Sequence, residues 1–110
     1  MKAILKEPGM FPKLVDIPNT LEALQEAVDG YIECLTIDDG VCVICNEEGR
    51  LKGLPYNIVC GRQPLVGNIL LVGTAGEEFA DLPVTWCFSV IKEFPELWYW
   101  IIKALEVEEI

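Results

Sequence analysis

Residues 31–45, YIECLTIDDGVCVIC, constrain the fold more than any other stretch of the chain. Two β-prone runs flank Asp38-Asp39-Gly40. Asp-Gly accepts the positive φ that a tight hairpin turn needs, so 31–37 and 41–45 are expected as paired antiparallel strands.

The segments on either side extend the pattern. Residues 2–6 and 12–17 are short apolar runs around the turn signal Glu7-Pro8-Gly9, and are expected to form a first hairpin. Pro18 ends it. Asn19 then caps a helix over 20–29, with Glu22 completing a capping-box-like pattern and Leu21, Leu24 and Val28 on one face. Gly30 is the expected stop. Asn46 to Gly49 reads as a turn, and Leu51 as the start of a short extension. Residues 53–67 hold three Gly and two Pro and read mainly as loop. Residues 68–72 are an apolar strand, followed by a turn at Gly73-Thr74-Ala75-Gly76. Asp81 is a cap for a helix over 82–93, and Pro95 opens a last helix over 95–107.

The expected fold is therefore α+β: a small mixed, mainly antiparallel sheet of about five strands, one helix after the first hairpin, and two C-terminal helices. One domain spans 1–110, with a core over 1–82 and an apolar, aromatic helical extension over 83–110. Hydrophobic residues make up 52% of the 110, which argues against disorder.

The charge is lopsided, 8 basic against 18 acidic residues, net −10. Such a surface repels nucleic acid and anionic lipid and suits basic protein surfaces. No signal peptide and no run near the ~20 apolar residues of a membrane span is seen, so a cytoplasmic location is expected. Five cysteines, an odd number, are read as thiols of a reducing compartment.

Several ordered blocks carry a resemblance. They are Asn19-Thr20-Leu21-Glu22-Ala23-Leu24-Gln25, Gly30-Tyr31-Ile32-Glu33, Asp38-Asp39, Val41-Cys42, Ile44 to Gly49, Gly53-Leu54-Pro55, Asn57, and Val72 to Phe79. Over about residues 1–82 the chain resembles the domain-of-unknown-function 3846 family, small proteins of phages and mobile elements. The resemblance implies an accessory protein and no assigned activity or catalytic residue. Proteins of that context often counter host defences, as DNA mimics, nuclease inhibitors or sponges for nucleotide signals. After Phe79 the chain departs from the family pattern: residues 84–105 are apolar and aromatic where typical members carry a polar helix.

Few residues invite chemistry. The chain has no His, hence no His base and no Ser–His or Cys–His pair, and it is read as a non-enzyme without cofactor or metal. Cys42 and Cys45 have CxxC spacing, but on a strand residues three apart point to opposite faces, so buried thiols are expected. The paired carboxylates Asp38/Asp39, Glu47/Glu48 and Glu77/Glu78 sit in or beside turns, solvated. Arg50, Lys52 and Arg62 fall close to Tyr56 and Asn57, and Thr74 lies in a Gly-rich loop. These six are the candidate ligand residues, against a reading as surface salt-bridging and a plain turn. Trp86, Trp98, Tyr99, Trp100 and Ile102 are candidate interface residues, because a helix apolar nearly all round is wrapped by its own domain or by another chain.

Three functions follow. The first is a non-enzymatic phage or mobile-element accessory protein countering host immunity, as a homo-oligomer joined through its C-terminal helices that sequesters a nucleotide-type small molecule. The second is an acidic, DNA-mimic-like inhibitor of a basic host defence protein, such as a nuclease. The third is a structural or regulatory subunit.

Overall fold

The computed structural model describes residues 1–10, 12–60 and 62–83. Leu82 and Pro83 carry no helix, and Asp81, expected as a cap, accepts from Lys2 N–H; the rest of the expected helices over 82–93 and 95–107, and the candidate interface residues on them, lie outside the described residues.

The described chain folds as β1 (Lys2–Lys6), β2 (Lys13–Asp16), α1 (Leu21–Val28), β3 (Ile32–Asp38), β4 (Val41–Asn46), β5 (Tyr56–Cys60), β6 (Gln63–Val66), β7 (Ile69–Ala75) and β8 (Glu78–Ala80). Six strands make one sheet in the order β2-β1-β7-β4-β3, with β8 also on β7; β5 and β6 pair separately. Every pairing given for these strands is antiparallel. The mainly antiparallel sheet with one helix is as the sequence indicates; the strand number is larger. No helix among the described residues is long and apolar enough to cross a membrane.

Strand β7 is the axis. It pairs with β4 on one side, and on the other with β1 through Ile69–Leu71 and with β8 through Gly73–Ala75. β8 and β1 thus lie end to end, joined where Lys2 N–H donates to Asp81 Oδ1 (2.8 Å) and Leu82 N–H to Lys2 O (2.9 Å).

Alternation sends side chains to two cores. On one face Ala3, Cys42, Ile44, Leu70 and Val72 meet Leu24 and Val28 of α1. On the other, Ile4, Val41, Val43, Cys45, Ile69 and Leu71 pack with Ile58 and Leu65 of the β5–β6 hairpin and with Leu82. All six residues of β4 are buried, as a central strand covered on both faces requires.

Four local expectations need correction. The N-cap of α1 is Thr20, whose Oγ1 accepts from Ala23 N–H (3.2 Å); Asn19 instead donates from Nδ2 to Phe79 O (2.8 Å) and ties the helix start to β8. With the cap one residue later, Glu22 falls out of capping-box spacing and sits in the first turn, where its charge favours the helix dipole. Leu21, 55% exposed, opens the helix before its apolar face reaches the sheet. Leu51 lies in the turn after β4 and starts no strand.

The 53–67 stretch, read as loop, carries the β5–β6 hairpin. Its prolines fit because Pro55 precedes β5 and Pro64 lies in a two-stranded unit, where a missing N–H costs little. Gly73 to Gly76 is no turn either: Gly73, Thr74 and Ala75 pair with Ala80, Phe79 and Glu78, and the reversal falls at Gly76-Glu77. Gly73 is required by close approach, since a Cβ there would overlap the Asp81 carbonyl.

Two glycine substitutions separate close approach from backbone conformation. Gly53 has φ +66° with open space around it, so Gly53→Ala is expected to cost about 1 kcal/mol. Gly73→Ala must displace main chain and is expected to cost about 3 kcal/mol or more, at the top of the usual overpacking range. Urea unfolding of the two variants checks the order; equal losses would contradict the packing at Gly73.

Candidate functional site

The β5–β6 hairpin is held over the sheet by Asn57. Its Nδ2 donates to Lys6 O (2.8 Å) and Gly67 O (2.7 Å), and its Oδ1 accepts from Lys6 Nζ (3.0 Å). Lys6, 6% exposed, also donates to Glu7 O (2.8 Å). An ammonium so buried is tolerated only with its hydrogen bonds made.

The turn at 47–53 is fixed to both neighbouring elements. Glu47 N–H donates to Tyr31 O (2.8 Å), continuing the β3–β4 ladder. Arg50 Nη2 donates to Pro64 O (3.1 Å), joining the turn to β6. Asn46 Nδ2 donates to Val28 O and Asp29 O (both 3.1 Å), so a side chain from β4 caps the last carbonyls of α1. Asp29 takes the left-handed cap conformation, φ 62°, one residue before the expected stop at Gly30. A Cβ on Gly30 would stand 2.6 Å from Asn46 Nδ2 and 3.0 Å from Lys52 Nζ. Lys52 therefore lies at the negative end of α1, whose last turn carries no basic residue of its own.

Between the turn, the end of β4 and β6 is a cavity of about 210 Å³. Its polar lining includes Asn46 beside Glu33, Glu47, Arg50 and Gln63; Cys45, Leu51 and Leu65 supply apolar wall. Leu51 is 90% exposed. Two carboxylates against one guanidinium make it net negative, and Arg50 is committed to Pro64 O. The Cys45 thiol in its wall has its pKa pushed up to about 11, by burial first and then by Glu33 and Cys34. Such a cavity suits a basic or hydrogen-bond-donating side chain.

The six candidate ligand residues do not converge. Arg50 lines the cavity, and Lys52 stands at the end of α1. Tyr56, 59% exposed, lies on β5 opposite Val66. Asn57 is the buried junction, and Arg62 is exposed at the hairpin tip. Thr74 is five residues along β7 from Ile69, roughly 17 Å at ~3.3 Å per residue, and its N–H donates to Gly40 O (2.9 Å). Glu33 and Gln63 were not singled out by the sequence, and Glu47 only as half of a carboxylate pair read as solvated. A signal for Glu33 existed: alternation over 31–37 puts it on the face of Leu35 and Ile37, an acid on an apolar stripe.

Cys42 and Cys45 fall in the two different cores, so the CxxC spacing does not bring their sulfurs together. Cys42 is pushed up to about 12, by burial and then by its contact with Cys34 on β3.

The fold and cavity define a small antiparallel β-sheet domain with one covering helix and an appended hairpin. The family model described as Domain of unknown function (DUF3846) matches residues 1–95, so the chain belongs to that family. The comparisons with curated proteins and with solved structures return no match.

The raised thiols set an alkaline expectation. A neutral form favoured in the folded state gives stability that is complete below the unfolded thiol pKa, ~8.5, and is lost as pH rises toward the folded values. Thermal unfolding should therefore drop between pH 9 and the folded values of about 11 and about 12, less steeply in Cys42→Val. At pH 8, maleimide mapped by mass spectrometry should modify exposed Cys34 and spare Cys42 and Cys45 until the chain is unfolded. Equal labelling of the three in the native protein would contradict the two-core placement.

Proposed function

We propose that this chain is a non-enzymatic accessory binding protein of a phage or mobile element, acting on a basic protein of the host's defences. The observation that carries the reading is the net-negative cavity at Glu33, Glu47, Arg50 and Gln63, on a chain of net charge −10. At about 210 Å³ it is smaller than the ~300 Å³ where ordinary small-molecule pockets begin. It is sized for one side chain of a partner. Overall acidity speeds encounter with a basic surface, and the cavity supplies a fixed point of register.

A nucleotide-type ligand fits this site less well. Its phosphates would face Glu33 and Glu47, and the residues that would attract it are spread between the turn, the hairpin tip and the far end of β7. The absence of histidine supports a binding role over an acid–base enzyme.

Peptide arrays centred on Lys or Arg, with Glu-centred counterparts, test the reading. The basic peptides should bind, and should weaken at least about tenfold between about 50 mM and about 500 mM salt. The double variant Glu33→Lys, Glu47→Lys should remove that binding while keeping the wild-type circular dichroism spectrum. Calorimetric binding of linear or cyclic nucleotides without peptide binding would replace this proposal with the sequestering one.

A further inference from the structure

The strand order of the sheet ends in β2 on one side and β3 on the other, apart from the three-residue margin of β8, and these two end strands are built differently. β2 is four residues long, carries exposed Lys13 and is flanked by Pro12 and Pro18; such short, charged, proline-bounded strands resist pairing. β3 is seven residues long and holds no Lys and no Pro. Its ladder with β4 stays regular from Ile32 to Thr36, and the register shifts only between Thr36 and Asp38.

The phase of the ladder decides what β3 presents. Glu47 N–H donates to Tyr31 O, so Tyr31 and Glu47 form a hydrogen-bonded pair. The register then makes Glu33–Cys45 and Leu35–Val43 hydrogen-bonded pairs, alternating with Ile32–Asn46, Cys34–Ile44 and Thr36–Cys42. Main-chain N–H and C=O groups of Ile32, Cys34 and Thr36 therefore point away from β4, along the outer margin. The side chains of Cys34 and Thr36 are exposed too.

We propose that the β3 margin accepts an extended basic segment of a partner protein as an added strand, with one Lys or Arg side chain entering the cavity at Glu33. A strand laid about 4.8 Å from β3 has side chains alternating between the same two faces. Those on the face of Glu33 pass beside the carboxylate that lines the cavity. Main-chain bonds supply affinity, and the side chain at Glu33 supplies specificity. Charge selects the occupant: a basic strand meets Glu33, whereas a second copy brings another net −10 to the same margin. This inference rests on the binding reading above and adds where and how the partner lies.

The probe is a fluorescent octapeptide alternating lysine and valine, with an octapeptide alternating glutamate and valine as control. Anisotropy should show binding of the lysine peptide only. Amide hydrogen exchange on the wild-type chain should slow at least about tenfold at Ile32, Cys34 and Thr36 when the peptide is added, while Glu33 and Leu35 change little. Thr36→Pro removes one outward N–H without touching a bond to β4, and should weaken the peptide at least about tenfold. Peptide binding that leaves the three outward amides unprotected overturns the margin while keeping the binding function. No binding of the lysine peptide overturns this inference, and the side-chain arrays then decide the function separately. Protection of those amides without peptide, with a doubled mass in light scattering, makes a second copy the occupant and overturns the basic partner. Should Thr36→Pro fail to fold, the exchange measurement alone decides.

Discussion

The Asn57 carboxamide under the β5–β6 hairpin makes three hydrogen bonds, two to main-chain carbonyls at Lys6 and Gly67 and one from the Lys6 ammonium. The rest of the structure depends on this junction. Without it the hairpin is left with the apolar contacts of Ile58 and Leu65, with Cys60 packed beside them, to hold it over the sheet. With it, β6 stands at a fixed distance from the turn after β4, and the space between them becomes a cavity. The bond from Arg50 to Pro64 O closes the same arrangement from the other side. The polar groups inside are costly to break singly, because each leaves a desolvated partner behind. A site framed this way is pre-organised before any partner arrives.

How much of this was legible in the sequence depends on the range of the interaction. The hairpin of β3 and β4 is local, and Asp39-Gly40 announces it. The first hairpin, the helix and the core of β7 are local too. The β5–β6 hairpin is not announced, since Gly and Pro mark both loops and short exposed strands; Pro64 is accepted because of where the second sheet lies. Gly73 looks like a turn residue for the same reason, yet it is fixed by Asp81, eight residues on. Thr20 displaces Asn19 as cap because Asn19 has a partner 60 residues away at Phe79, and one-dimensional capping patterns do not contain that choice. In the site, Arg50 stood out as a rare base. Glu33 and Gln63 did not, and Glu47 was read only as a solvated turn carboxylate, because acids are common here and their convergence depends on three elements meeting.

Acidity on this scale also has to be managed inside the fold. Helix α1 ends without a basic residue in its last turn, and Asp29 adds a negative charge where the dipole is already negative. Asn46 takes two of the terminal carbonyls, and Lys52 comes back from the turn to stand over Gly30. Gly30 is thus kept small by Asn46, which its two bonds to α1 hold in place, as well as by its own backbone angle. The same turn therefore stabilises the helix through Lys52 and builds the cavity through Glu47 and Arg50. A substitution there acts on stability and recognition together, and the two are separable only by measuring both.

The two end strands of the sheet, β2 and β3, complete this logic. At β2 the strand is short, bounded by prolines and charged; at β3 it is long and regular, with an orderly row of outward main-chain groups. Net repulsion between like chains limits pairing of β3 with itself, since each copy brings the same excess of carboxylates. A positively charged strand faces no such barrier. Acidity can then serve as the device that leaves a sheet margin open to a partner while closing it to copies, a role that short strands and prolines perform at β2. The cavity at Glu33 lies beside the second residue of β3, where backbone pairing at Ile32 and Cys34 flanks the incoming side chain that Glu33 recognises.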